Sequence, residues 1–213
     1  MPRSPSSLAI VLVIGCGPAT TVHPETVRSG CGSDQTVLLG GQDDVAAVAG
    51  CTTLPGLTIR TAAPLRLEPL RRLVTITGDL VIGPSVGLDE ATLPELRTIG
   101  GTLRVISNGN LHGLFLPKLE RAGRIEVEAN VAITSVSLPR LAAVEALVIT
   151  DDPELELIDV SSLATVGGEL VISDNPKLVM IEAGKLAKAP SVKLENNRLL
   201  PAEQADALRT LAR

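Results

Sequence analysis

The sequence predicts a parallel β-solenoid, a chain wound into about seven stacked coils. Three observations carry that prediction. From Gly56 onward an aliphatic pair with one residue between its members recurs as Leu57/Ile59, Leu80/Ile82, Leu103/Val105, Ile125/Val127, Leu147/Ile149, Leu170/Ile172 and Val192/Leu194, always 22 or 23 residues apart. A period of two puts both members on one face of a short strand, and a unit this small cannot bury its own apolar face, so the units must stack. Second, further aliphatic columns keep the same register. They run through Leu88, Leu111, Ile133, Leu155 and Leu178, through Leu93, Leu116, Leu138, Val160 and Ala183, through Leu73, Leu96, Leu119, Leu141, Leu163 and Leu186, and through Ile76, Ile99, Ala122, Val144, Val166 and Ala189. Every side of a coil thus sends an aliphatic side chain inward. Third, the 213-residue chain is 45% hydrophobic yet has no Trp, no Tyr and one Phe. Stacked Leu, Ile and Val columns leave slots of nearly equal size, which rings would disrupt. Phe115, between inward Leu114 and Leu116, is therefore expected to point outward.

At the N-terminus, Arg3 precedes an apolar run over Leu8–Ile14, and residues 1–15 read as a signal peptide. The stretch Val13-Ile14-Gly15-Cys16 looks like a bacterial lipobox, which makes Cys16 the expected lipid attachment site and residues 16–30 a lipid-anchored tether. No later segment approaches the roughly 20 apolar residues that span a bilayer, so membrane attachment is expected through acylated Cys16 alone. The expected address is the bacterial cell envelope. Gly17, standing where an Asp is linked with inner-membrane retention, points to the outer membrane or the cell surface. Assigning Cys16 to lipid leaves the even pair Cys31 and Cys51, for which a structural disulfide closing about 20 residues is expected. A redox or metal site would need closer spacing or further ligands.

Residues 31–200 form the predicted solenoid. Pro94, Pro117 and Pro139 each follow the second aliphatic column, at a corner where a missing ladder donor costs nothing. A polar column is equally regular: Asn108, Asn130, Asp152, Asn175 and Asn197, with Ser85 in the first full coil, stand three residues after the second member of each pair. Stacked amides there are expected to satisfy backbone groups of their own coil and of the next. Asp151, Asp152, Glu154, Glu156 and Asp159 lack the oxygen-ligand spacing and obligatory Gly of a calcium loop and read as a solvated acidic ridge. Residues 201–213 read as a C-terminal capping helix with Pro201 near its start and Leu208 and Leu211 facing the last coil.

The run Val37-Leu38-Leu39, then residues 42–51 ending in Cys51, then Pro55-Gly56-Leu57-Thr58-Ile59, resembles the opening of a receptor L-domain. The unit Gly168-Glu169-Leu170-Val171-Ile172-Ser173-Asp174-Asn175-Pro176-Lys177-Leu178 is similar to that family's repeated strand and turn. The resemblance covers roughly residues 31 to 200. It implies a right-handed β/α superhelix related to leucine-rich repeats, opened by a strand and a short capping helix. Asp43 and Asp44 would lie in that helix's first turn and Gly50 would end it. The chain has one such domain and neither the cysteine-rich module nor the kinase of the receptors, so their hormone binding does not transfer.

The function classes narrow from here. With 19 Lys and Arg against 24 Asp and Glu, the net charge of −5 gives no electrostatic reason for nucleic acid as partner, and ring platforms for bases are missing. No phosphate loop, dinucleotide fingerprint or zinc signature is present, and neither His23 nor His112 has a nucleophile placed near it by motif. No cofactor, metal or catalytic residue is expected. On the outer face of the main sheet the paired carboxylates are Glu126 and Glu128, which read as solvated. Val81, Ile106, Val148 and Val171, set among Arg104 and Glu126, are the expected interaction face, since exposed aliphatics rimmed by charge mark interfaces. The reading is a non-catalytic envelope lipoprotein that presents a rigid surface to a protein or glycan. The alternatives are an envelope spacer without specific ligand and a glycan-active solenoid enzyme, since parallel solenoids also host catalysis.

Overall fold

The structure, a computed structural model, describes Cys31 and residues 34–211. The expected signal peptide, Cys16 and tether lie outside the described residues. The described chain is a parallel β-solenoid of about seven turns. Its main sheet has eight strands in sequence order, namely Val37–Leu39, Leu57–Ile59, Leu80–Ile82, Thr102–Ile106, Arg124–Glu128, Ala146–Thr150, Glu169–Ser173 and Ser191–Glu195. Each recurring aliphatic pair sits directly beside the next, as Leu103 does beside Ile125 and Leu147 beside Leu170.

A second parallel sheet, formed by Glu90–Thr92, Gly113–Phe115, Ser135–Ser137, Leu157–Asp159 and Met180–Glu182, covers another side of the coil. Its inward column is Ala91, Leu114, Val136, Ile158 and Ile181, all buried. Sequence reading placed Leu114 inward but did not assemble this column, because its residues stand singly, Val136 between two serines and Ile158 beside Leu157, and form no recurring pair. Two-residue strands at Thr53–Leu54, Thr75–Ile76, Thr98–Ile99, Ala143–Val144 and Thr165–Val166 close the third side, bridged through Arg121 and Lys188. The four expected columns are buried, apart from Ala183, which is only partly covered. Phe115 occupies an outward position of the second sheet but is half-buried. Its ring folds back over Gly113, where a Cβ would come within 2.3 Å of it.

Tight stacking leaves its mark at the corners. At Gly100 a Cβ would lie 2.1 Å from the Thr77 carbonyl oxygen of the coil before, so only glycine permits that approach. Surface charges repeat the coil period: Glu95 pairs with Lys118 at 2.5 Å, Arg97 with Glu120 at 2.6 Å and Glu154 with Lys177 at 2.5 Å. The Lys118 ammonium holds the Glu95 carboxyl below the usual carboxylate range, chiefly through their hydrogen bond. Exposed pairs of this kind contribute little individually, and their value is as markers of register.

Both ends of the coil are covered. Helix α1, Gln42–Ala47, carries Asp43 and Asp44 in its first turn as expected, and the Asp44 carboxylate accepts hydrogen bonds from the N–H groups of Gly40 and Gly41, each at 2.9 Å. The helix stops at Ala47, earlier than Gly50 suggests. Gly50, at φ +87°, instead turns the chain into Cys51. The Gln42 side chain acts as a surrogate strand residue, accepting from the Arg66 N–H and donating to the Arg66 carbonyl. Cys31 and Cys51 are joined in a disulfide, with a Cα–Cα separation of 5.3 Å. Helix α2, Ala202–Arg209, closes the other end with Pro201 as its N-cap and Ala205 and Leu208 buried. Gln204 accepts from the Ile181 N–H at the open edge of the second sheet, and Arg209 donates to the Leu194 carbonyl at the edge of the main sheet. These contacts occupy groups that an uncovered end would offer to another chain.

The staple closes a separation of 20 residues around the N-terminal cap. Cys31→Ser with Cys51→Ser is expected to lower the unfolding free energy by about 3 kcal/mol, checked by guanidinium denaturation against the oxidised protein.

Candidate functional site

The outer face of the main sheet is built by alternation. Inward Leu, Ile and Val fix every strand's orientation, so the residues between them must point to solvent. Register places Thr58, Val81, Arg104, Glu126, Val148, Val171 and Lys193 side by side in one row. A second row holds Ile106, Glu128, Thr150, Ser173 and Glu195. The structure therefore brings Val81, Arg104, Glu126, Val148 and Val171 together on adjacent strands, about 4.8 Å apart, and sets Ile106 in the neighbouring row.

Two features of this face differ from expectation. Val81, Ile106, Val148 and Val171 are half-buried, because outward side chains one strand spacing apart shade one another. Glu126 is not a solvated acid either. Its side chain is only 20% exposed, and it lies between two guanidinium groups, with Arg104 at 2.7 Å and Arg124 at 2.6 Å. Arg124 also reaches Glu169 at 2.8 Å, two coils away along the chain. The hydrogen bond that Arg124 donates to Glu169, and then that to Glu126, raises the Arg124 pKa. Four charges thus form one network across the middle of the face. Beside it Val148, Thr150 and Val171 form a half-buried uncharged strip, while Ala146, next to Arg124, and Ser173 are buried. Arg124 and Glu169 also border a groove of about 560 Å³ lined by Gly100, Gly101, Gly123 and Gly168.

Apart from Leu38, the large exposed hydrophobic residues stand elsewhere: Val86, Val131, Val179, Met180 and Leu199. Leu38 is the one that sequence reading missed on this face. It pairs with Thr58 and so extends the first row by a strand, at 59% exposure. Its signal was available in the alternation of Val37-Leu38-Leu39.

The polar column is a continuous buried ladder. Asn108, Asn130, Asp152 and Asn175 are fully buried. The backbone N–H of Asn108 donates to Asn130 Oδ1, that of Asn130 to Asp152 Oδ1, that of Asp152 to Asn175 Oδ1 and that of Asn175 to Asn197 Oδ1, at 2.8–3.2 Å. The asparagine Nδ2 groups donate back to strand carbonyls of the preceding coil: Asn108 to Ile82, Asn130 to Val105, Asn175 to Ile149 and Asn197 to Ile172. Ser85, which has no amide, bonds instead through Oγ to the Thr61 carbonyl, and Asn108 Oδ1 at that end of the ladder is left without a partner. The ladder also explains a feature that sequence reading did not anticipate. The residue before each rung, namely Ser107, Ala129, Asp151, Asp174 and Asn196, has φ of +55 to +58°. Such a conformation costs a non-glycine residue roughly 1–2 kcal/mol, which the rung's hydrogen bonds offset.

The acidic ridge is broken up. Asp152 is buried in the ladder, Glu154 pairs with Lys177, and Asp159 accepts from the Ser137 hydroxyl and the Ser161 N–H. Among the described residues no three His, Cys, Asp or Glu side chains are gathered to hold a metal ion, and no helix is long and apolar enough to cross a membrane. His112 is exposed in a turn, and His23 lies outside the described residues.

No protein-family model matches this chain, and neither a curated protein nor a solved structure shows significant similarity to it.

Replacing Asn130 by Ala removes the side-chain donor to the Val105 carbonyl and the acceptor of the Asn108 N–H. Each such loss costs about 1–3 kcal/mol, so Asn130→Ala is expected to lower stability by about 3 kcal/mol or more in chemical denaturation, against less than about 0.5 kcal/mol for the exposed Asn110→Ala.

Proposed function

We propose that this chain is a cell-envelope lipoprotein whose solenoid, of receptor L-domain type, presents a rigid surface for recognising a protein or a glycan. The observation that carries the reading is the outer row of the main sheet. Val148 and Val171 sit next to each other on adjacent strands, with Thr150 beside Val148 and a paired charge network on one flank. Charges already matched to one another add little attraction for a charged partner, so the uncharged area would supply contact while the network sets orientation. The backbone beneath is pinned by ladder bonds on both sides of each central strand, and a surface ordered before binding has little entropy left to lose. The N-terminal lipobox-like stretch supports the envelope address, with the bilayer as one partner through Cys16.

One observation favours the second reading, an envelope spacer without specific ligand. The aliphatic side chains of the face are half-buried, and its charges pair internally, which is how a surface satisfied with solvent also looks.

The two readings separate in the native cells by cross-linking through the sheet face. The binding reading expects a defined partner with the wild-type protein and its loss with Val148→Asp plus Val171→Asp, a change that leaves the inward columns untouched. Retention of every partner by the double variant would count against the sheet face. For the anchor, metabolic labelling with a fatty acid is expected to mark the wild-type protein and not Cys16→Ala; label on the variant would remove the lipobox reading.

A further inference from the structure

Asp152 is the one rung of the buried ladder from Asn108 to Asn197 that is not asparagine, and its geometry leaves a specific gap. At Asn130, Asn175 and Asn197 the side chain does two jobs: Oδ1 accepts from the rung before, and Nδ2 donates to a strand carbonyl 25 or 26 residues earlier; Asn108, at the end of the ladder, does only the second. Nδ2 of Asn108 and of Asn130 also donates to Oδ1 of the next rung. Asp152 does the first job: its Oδ1 accepts from the N–H of Asn130 at 2.8 Å and from Asn130 Nδ2 at 3.0 Å. Its Oδ2 stands in the place of the missing amide nitrogen, is buried, and has no partner. By the ladder's register the acceptors waiting there are the Val127 carbonyl and Asn175 Oδ1, both oxygens. An ionised carboxylate would bring a third oxygen, bearing charge, against two acceptors in a buried site. A carboxylic acid has an O–H to give to one of them.

We infer that Asp152 holds a proton on Oδ2 in the folded chain, that this proton completes the ladder at the central coil, and that the solenoid loses this stabilisation as pH rises toward neutrality. The surroundings act in the same sense. Burial pushes the Asp152 carboxyl up from 3.8 to about 7; the donors of Asn130 pull the other way, and the charges of Asp151 and Glu128 push further up. The remaining charged groups around this turn supply no cation to Oδ2. On the next coil Asp174 accepts from Asn196 Nδ2 at 2.6 Å, and Lys177 is engaged by Glu154.

The direction of the pH dependence follows from linkage. The folded chain binds this proton more tightly than the unfolded chain, so the stabilisation is complete below the ordinary aspartate value of 3.8 and is lost progressively until the pH reaches about 7. This is opposite to a salt-bridged carboxylate, whose contribution grows with pH over the acid range. Asparagine at this position would make the ladder uniform and remove the proton from the folding equilibrium.

The test compares full-length wild type and Asp152→Asn by guanidinium denaturation across neutral pH. One proton released on unfolding changes the ratio of their folding constants by up to tenfold per pH unit, so Asp152→Asn is expected to gain about fiftyfold over wild type between roughly pH 5 and pH 7 and about twofold beyond. In parallel, the carboxyl ¹³C resonance that disappears in Asp152→Asn is expected to titrate near neutrality in the folded wild type. A folding-constant ratio that does not change with pH, or an Asp152 resonance that titrates in the ordinary range near 3.8, would overturn the inference.

Discussion

The fold depends on one repeated hydrogen bond, from the backbone N–H at the end of each central main-sheet strand to a side-chain oxygen at the same place in the next coil. That bond forms only if each coil, of 22 or of 23 residues, returns its turn to the same place in the stack, which ties the repeat to a buried polar contact as well as to the stacking of leucines. Aliphatic columns alone would tolerate a slip, because one Leu resembles another and the hydrophobic effect has no direction. A buried amide tolerates none, since an unpaired polar group costs about 1–3 kcal/mol. The ladder also lets five residues that are not glycine adopt a left-handed turn, and so lets the main sheet stop at the same point in each coil.

How much of this was legible in the sequence follows from how each signal is encoded. The main sheet is written as pairs, Leu103 with Val105 or Ile149 with Leu147, and a pair with fixed spacing is visible against any background. The ladder is visible for the same reason, as Asn108, Asn130, Asn175 and Asn197 hold one offset. The second sheet is written as single residues such as Val136 between Ser135 and Ser137, and single residues become a column only when the coils are aligned. The left-handed turns escaped notice because Ser107, Ala129 and Asp151 share no side-chain chemistry. What they share is a backbone angle imposed by the rung that follows.

The interaction face shows a different limit. Period-two alternation gave the direction of Val148 and Val171 correctly, but direction is not exposure. On a parallel sheet, whether an outward side chain is open depends on its neighbours on both adjacent strands, here at separations of 22 and 23 residues. Glu126 illustrates this best. Next to Glu128 in the sequence it looks like half of an acidic pair, whereas in space it lies between Arg104 and Arg124. A charge read along the chain and the same charge read across the sheet belong to different environments, and only the second bears on recognition.

The most direct test of the ladder as the register-setting interaction is native-state hydrogen exchange at the backbone amides of Asn108, Asn130, Asp152 and Asn175. These N–H groups donate to side-chain oxygens at the ends of strands, where ordinary turn amides exchange through local fraying. If the ladder holds the coils in register, they should exchange only with global unfolding, at the same free energy as Ile125 and Leu147 in the core of the main sheet. Exchange at these four amides on the scale of exposed turns, while the core stays protected, would show that the aliphatic columns keep the register without them.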